Sequence, residues 1–170
     1  MAFIQPCFIR KNTPELRKKL EELGYERNAY ECFWDDENRY IITAIDNNDN
    51  AYYTLCIKDS CLLKNKEFID CGTNEELFLA LAALRDDSDR NQWFILPKTQ
   101  TKRMPGCFGQ VVGMDGHYQE IVGYEWYRYK NKDNALTERL NTMIQMEVED
   151  IDFLPHKATI DEIIEHFKDK

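Results

Sequence analysis

The chain has little that would place it in a membrane, outside the cell or on nucleic acid. No apolar run approaches the roughly 20 residues that a membrane-spanning helix needs. The first residues lack a basic segment and are interrupted by Pro6, so they do not resemble a secretory signal, and we expect a cytoplasmic protein with no membrane partner. Only 22 residues are basic against 31 acidic ones, and the net charge of −9 argues against general nucleic-acid binding because it repels phosphate backbones.

Motifs for catalysis and metal binding are also missing. The six cysteines form no pair of close pairs, which a structural zinc site usually shows, so we expect no metal and reduced thiols. The sequence contains no nucleotide-binding glycine loop, HExxH motif or Ser-His-Asp arrangement, and we predict no cofactor. These absences favour a non-enzymatic protein, although a site built from distant residues would leave no local motif.

The most informative feature that is present is an internal echo. Phe8 to Glu15 (FIRKNTPE) returns as Phe68 to Glu75 (FIDCGTNE). A leucine stripe follows each copy, and the second stripe is displaced by one residue; the stripes are Leu16, Leu20 and Leu23, and Leu77, Leu81 and Leu84. Both copies predict a short strand, a tight loop, a threonine N-cap and an amphipathic helix.

Further elements follow from local pattern. Thr13, Pro14 and Gly24 predict the start and the end of the first helix. Thr73 and Glu76 have the spacing of a capping box for the second helix, which is apolar nearly all round and is therefore expected to be buried. The predicted strands are residues 3–9, a possible strand at 30–34, a hairpin of 40–45 with 51–57, residues 68–70, and residues 92–96, closed by Pro97.

This order of elements predicts an α+β fold, with an antiparallel sheet and helices on one face. It matches a ferredoxin-like split β-α-β arrangement, except for the extra short strand before the second helix. We expect residues 1–96 to form this core and residues 97–109 to form a loop or linker.

Residues 110–170 are expected to hold a hairpin and two helices packed on the core. Asp115-Gly116 predicts a hairpin turn between residues 110–114 and 117–122, with 124–129 continuing the sheet. Leu136, Leu140, Met143 and Ile144 have helical spacing, as do Ile160, Ile163, Ile164 and Phe167 in the last helix, for which Thr159 is the expected cap.

Three residues are candidates for catalysis. His117 flanks a predicted turn and lies three positions from Glu120, so the two could form a general acid-base pair. Cys71 precedes a helix N-terminus, where a thiol pKa can be lowered. The alternative interpretation, a solvated turn histidine and a structural cysteine loop, is favoured for both sites.

Four aromatic residues form a candidate binding surface: Tyr124, Trp126, Tyr127 and Tyr129. Alternation along a strand would place Tyr124 and Trp126 on one face, and Tyr127 and Tyr129 on the other. One face could pack on the core while the other provides aromatic anchors for a partner, although core packing beside an ordinary tyrosine surface also fits the pattern.

The echoed segments, residues 8–25 and 68–94, resemble uncharacterised small accessory proteins of gut-bacterial phages and mobile elements. This resemblance transfers no catalytic residue. It implies a cytoplasmic accessory protein that contacts host or phage macromolecules, as an inhibitor or as a component of a phage particle.

Three functions remain as hypotheses. We favour a non-enzymatic module that binds another protein. One alternative is a small hydrolase or transferase using His117 with Glu120 or Cys71, and the other is a protein that binds or sequesters a small molecule.

Overall fold

The computed structural model describes residues 5–28, 39–57, 60–64, 66–86, 88–103, 117–129 and 155–170. The helices in these ranges are α1 (Pro14–Leu23), α2 (Glu75–Ala82) and α3 (Ile160–Phe167), and a short 3-10 helix spans Cys61–Lys64. The strands are β1 (Cys7–Ile9), β2 (Glu26–Arg27), β3 (Arg39–Ile45), β4 (Ala51–Ile57), β5 (Ile69–Asp70), β6 (Trp93–Arg103), β7 (His117–Arg128) and β8 (His156–Lys157). The predicted α+β class is confirmed.

Helix α1 begins and ends where its sequence predicts. The Thr13 hydroxyl oxygen accepts the N–H of Leu16 at 3.2 Å, and Pro14 occupies the first turn. Gly24 ends the helix with a φ of 105°, a left-handed conformation that glycine adopts without steric cost. The leucine stripe is buried.

The predicted hairpin is also present. β3 and β4 pair antiparallel along their whole length. The Asp46 carboxylate accepts the N–H groups of Asn48 (2.8 Å) and Asn50 (2.9 Å), and Asp49 has a positive φ of 63°. Short polar side chains therefore shape the turn, as the residue types predict. The possible strand at residues 30–34 lies outside the described residues.

The first sheet has the strand order β2-β4-β3-β1-β5, in which β1 is antiparallel to β3 and parallel to β5. This order is not the ferredoxin-like one considered above. The position beside β1 is taken by the two-residue strand β5, and the strand predicted to complete the motif, residues 92–96, contributes instead to β6 in a second sheet.

The two echoed segments are neighbours in the first sheet. β1 and β5 pair with Cys7 opposite Ile69, and the helices that follow them contact each other. The N-cap of α2 is Asn74, whose side-chain oxygen accepts the N–H of Leu77 at 2.9 Å. The predicted capping box of Thr73 and Glu76 is therefore wrong by one position.

Helix α2 lies at the centre of the first unit, as its apolar composition predicts. It contacts α1, α3 and β1, and most of its residues are buried. The Tyr25 hydroxyl donates to the Ala82 carbonyl at 2.9 Å, and the Cys7 sulfur lies 3.9 Å from the Phe78 carbonyl oxygen. Strand alternation turns Phe8 to the opposite face, where it packs with Ile42, Cys56, Tyr40, Leu63 and Phe68.

The chain forms two compact units. The first comprises Met1–Gln92 with Thr159–Lys170, and the second comprises Trp93–Ala158. These boundaries differ from the expected division at residues 96 and 110, because the last helix belongs to the first unit. Thr159 caps that helix through a complete capping box with Glu162. The helical spacing at residues 136–144 lies outside the described residues.

The second sheet has the order β7-β6-β8. β6 does not end at Pro97 but continues to Arg103, so the predicted linker is strand over residues 97–103. Proline is tolerated in a strand where no backbone N–H is needed for pairing. Of the described strands, only β7 pairs with β6 at Pro97, because β8 pairs with Phe94 and Ile95 alone. The expected strand at residues 110–114 lies outside the described residues.

Candidate functional site: the aromatic strand β7

Three of the four candidate aromatic residues lie at the C-terminal end of β7, where the register with β6 assigns their faces, and Tyr129 follows directly after the strand. Tyr124 pairs with Pro97 and Trp126 with Ile95, so both lie on one face, which we call face A. Tyr127 pairs with Phe94 and lies on the other face, face B, together with Tyr129. The alternation predicted from the sequence is therefore present.

A β-bulge interrupts this pairing. Thr99 pairs with Ile121 and Lys98 with Gly123, so Val122 is the extra residue of β7. A bulge shifts the alternation by one residue, and it therefore brings Ile121 and Tyr124 to the same face although they are three positions apart. Face A thus continues past the bulge with Ile121, and the polar residues Gln119 and His117 follow it on the same face.

Exposure distinguishes Tyr124 from the other aromatic residues. Tyr124 is 53% exposed and Val122 is 55% exposed, and among the described residues the only other large exposed hydrophobic side chain is Ile57, at 61%. Two of these three side chains therefore lie within one short segment of β7. Large apolar side chains that remain in water are the usual starting point of a binding surface.

Two of the other aromatic residues pack against side chains of β6. Trp126 meets Trp93 edge-on, with ring centroids 6.4 Å apart, and Tyr129 meets Phe94 in the same manner at 6.2 Å. Edge-to-face packing of this kind stabilises the sheet and holds its aromatic side chains in place. Tyr124 is therefore presented by a well-packed strand pair.

The charges of face B are paired across the strands. Lys102 forms an ion pair with Glu120, and the ammonium of Lys98 lies 3.9 Å from the Glu125 carboxylate. Two lysines of the basic segment 98–103 are thus partly neutralised by acidic partners.

The strand geometry separates the proposed acid-base pair. His117 and Glu120 lie on the regular part of β7 before the bulge, three positions apart, so their side chains project from opposite faces of the sheet. Proton transfer between two groups needs hydrogen-bond reach or one bridging water. The described geometry therefore does not support a site that uses His117 with Glu120.

Cys71 lies in the first unit, immediately after β5, and is only 4% exposed. A hydrogen bond with the Cys7 thiol, together with burial, raises the pKa of the Cys71 thiol above its ordinary value. A nucleophilic cysteine needs the opposite shift, because the thiolate is the reactive form. The local environment is that of a structural cysteine.

Neither a metal-ligand cluster nor a membrane-spanning helix occurs in the described ranges. No group of three His, Cys, Asp or Glu side chains is arranged to hold a metal ion. Within the same ranges, no helix is both long and apolar enough to cross a membrane.

Comparison with known proteins gave no match. No family model, no curated protein and no solved structure is similar to the chain. The resemblance to phage and mobile-element accessory proteins stays a prediction.

Sequence reasoning identified Tyr124 but missed Val122. The exposure of Val122 depends on the bulge, and a bulge appears only once the register between two strands is known. The signal available in the sequence was the pair Val122-Gly123, since a glycine inside a strand often marks a bulge.

Proposed function

We propose that this chain is a non-enzymatic protein-binding module whose partner docks on face A of β7. The observation that carries the proposal is the adjacent exposure of Val122 and Tyr124 on a strand that is anchored by aromatic packing. Tyrosine is enriched among the residues that dominate binding energy at protein interfaces.

The partner's chemistry follows from charge. The chain carries a net charge of −9, so it attracts a basic partner and repels an acidic one. We expect a protein with an apolar pocket for Tyr124, surrounded by lysine and arginine side chains. In line with the resemblance above, the proposed setting is cytoplasmic, as an accessory protein of a phage or mobile element that acts as an inhibitor or a particle component.

Three versions of the chain test this function: the unaltered protein, the double variant Val122→Ser with Tyr124→Ser, and the control Ile57→Ser. Ile57 is a matched control because it is at least as exposed but lies on β4 in the first unit. Each is used as bait in a lysate of the native host, after circular dichroism confirms folding, and retained proteins are identified by mass spectrometry.

A partner that is lost with the double variant and kept with Ile57→Ser is the expected result. Its association rate should fall as salt is added, because screening weakens attraction between opposite charges. Equal retention by all three baits would refute face A as the docking site. Retention of the bait's own chain alone would replace the basic partner with a second copy.

A further inference from the structure

A pocket of about 270 Å³ lies in the first unit, where the end of α1 meets the loop that follows α2. This volume lies just below the usual range for ligand pockets, about 300–1,000 Å³, and suits a small metabolite. The α1 end contributes Glu22, Leu23 and Gly24, α2 contributes its cap Ala83, and the loop contributes Arg85, Ser88, Arg90 and Asn91.

One buried side chain forms hydrogen bonds with the backbone of residues that line this pocket. Gln92 is 1% exposed, and its amide nitrogen donates to the carbonyls of Ala83 and Arg90. Its side-chain oxygen accepts the N–H of Arg85 at 3.1 Å. Because the backbones of both arginines are hydrogen-bonded to the same side chain, these two positions are fixed by the fold, which lowers the entropic cost of binding a ligand there.

Residues of both charges line the pocket. Arg85 and Arg90 are basic, and a guanidinium group can bind a carboxylate in a bidentate manner, while Ser88 is polar. Glu22 brings a carboxylate, and the C-terminal end of α1 carries a partial negative charge. Leu23 and Ala83 add apolar surface.

We propose that this pocket binds a small zwitterion of amino-acid type, with its carboxylate towards Arg85 and Arg90 and its ammonium group towards Glu22. A simple anion would fit the arginines, but it would meet Glu22 and the field of a chain with a net charge of −9. A zwitterion has no net charge, and it can pair with the two arginines through its carboxylate and with Glu22 through its ammonium group. This site is separate from face A, so the two proposals fail or stand independently.

Isothermal titration of the full chain with L-valine and L-serine tests the proposal. N-acetyl-L-valine, which lacks the ammonium group, and L-valinamide, which lacks the carboxylate, serve as matched probes. We expect at least one amino acid to bind, and each one-sided derivative to bind at least tenfold more weakly than L-valine. Arg90→Gln and Glu22→Gln should each weaken amino-acid binding at least tenfold, whereas Lys66→Gln, a change at an exposed lysine that does not line the pocket, should leave it unchanged.

Three results would overturn the proposal. The first is the absence of heat with both amino acids at millimolar concentration. The second is N-acetyl-L-valine binding as tightly as L-valine, together with tighter binding in Glu22→Gln, which would make the pocket a simple anion site. The third is an unchanged affinity in both pocket variants, which would place the amino acid elsewhere on the chain.

Discussion

Asn74 joins the start of one helix to the end of another, and its replacement should cost more than the loss of an ordinary helix cap. Its side-chain oxygen caps α2 by accepting the N–H of Leu77. Its side-chain nitrogen donates to the main-chain oxygens of Phe167 (2.6 Å) and Lys170 (3.2 Å), at the C-terminal end of α3. One amide thus satisfies groups on both helices.

The magnitude follows from these three hydrogen bonds. Loss of a helix N-cap costs about 1 kcal/mol, and each further hydrogen bond contributes about 1 kcal/mol. Because Asn74 is half-buried and water can replace part of the lost bonding, we expect Asn74→Ala to lower the free energy of unfolding by about 2 kcal/mol. Thr13→Ala removes the cap of α1 and should cost only about 1 kcal/mol.

Asn74→Asp separates the two roles. An aspartate still caps α2 and interacts favourably with its N-terminus, but it cannot donate to the α3 oxygens and places a negative charge beside them. We therefore expect Asn74→Asp to be about 1 kcal/mol less stable than the unaltered chain.

Urea unfolding followed by far-ultraviolet circular dichroism measures the change, because the three described helices all lie in the first unit. An Asn74→Asp variant as stable as the unaltered chain would refute the link to α3. Equal losses for Asn74→Ala and Thr13→Ala would do the same.

Two further predictions concern the core of the first unit. The buried Thr43 hydroxyl accepts a hydrogen bond from the Cys7 N–H and donates one to the Cys7 carbonyl, each with a donor–acceptor distance of 3.1 Å. Thr43→Val, which removes both bonds, should lower the free energy of unfolding by about 1–3 kcal/mol in urea titration. Thr43→Ser, which keeps the hydroxyl and loses a methyl group, should cost about 1 kcal/mol. Burial raises the pKa of Tyr25, and burial with a hydrogen bond to Glu21 raises the pKa of Tyr53 to about 12. Both folded-state values exceed the unfolded value near 10, so this stability is present below about pH 10 and is lost as the pH rises towards 12. A near-ultraviolet absorbance titration of the folded chain should show two of the nine tyrosines ionising well above pH 10, and ionisation of all nine near pH 10 would contradict the assignment.

Local signals were sufficient for elements whose contacts are close in sequence. A cap, a first-turn proline and a left-handed glycine determine α1, and a run of Asp and Asn shapes the β3–β4 turn. The position of the α2 cap could also have been predicted from the sequence. Thr13 and Asn74 are 61 positions apart, and so are Leu16 and Leu77, the first leucines of the two stripes. The displaced leucine stripe therefore marked the displaced cap.

Features that depend on distant pairing were not predictable. Pro97 ends a strand only if a backbone N–H is needed at that position, and that depends on whether a strand such as β8 reaches it. The residue types of segment 85–90 are typical of a charged surface turn, and no local pattern predicts that Arg85, Ser88 and Arg90 line a pocket. Exposure of Val122 likewise depends on a register that no local pattern encodes.

The placement of α3 has a consequence for synthesis on the ribosome. The first unit needs residues from both sides of the second, so its sheet and first two helices emerge early and then wait for residues 159–170. The second unit, by contrast, is contiguous in sequence and can fold as soon as it leaves the exit tunnel. Until residues 159–170 have been synthesised, the surface of α2 that α3 covers stays open to water, chaperones and proteases.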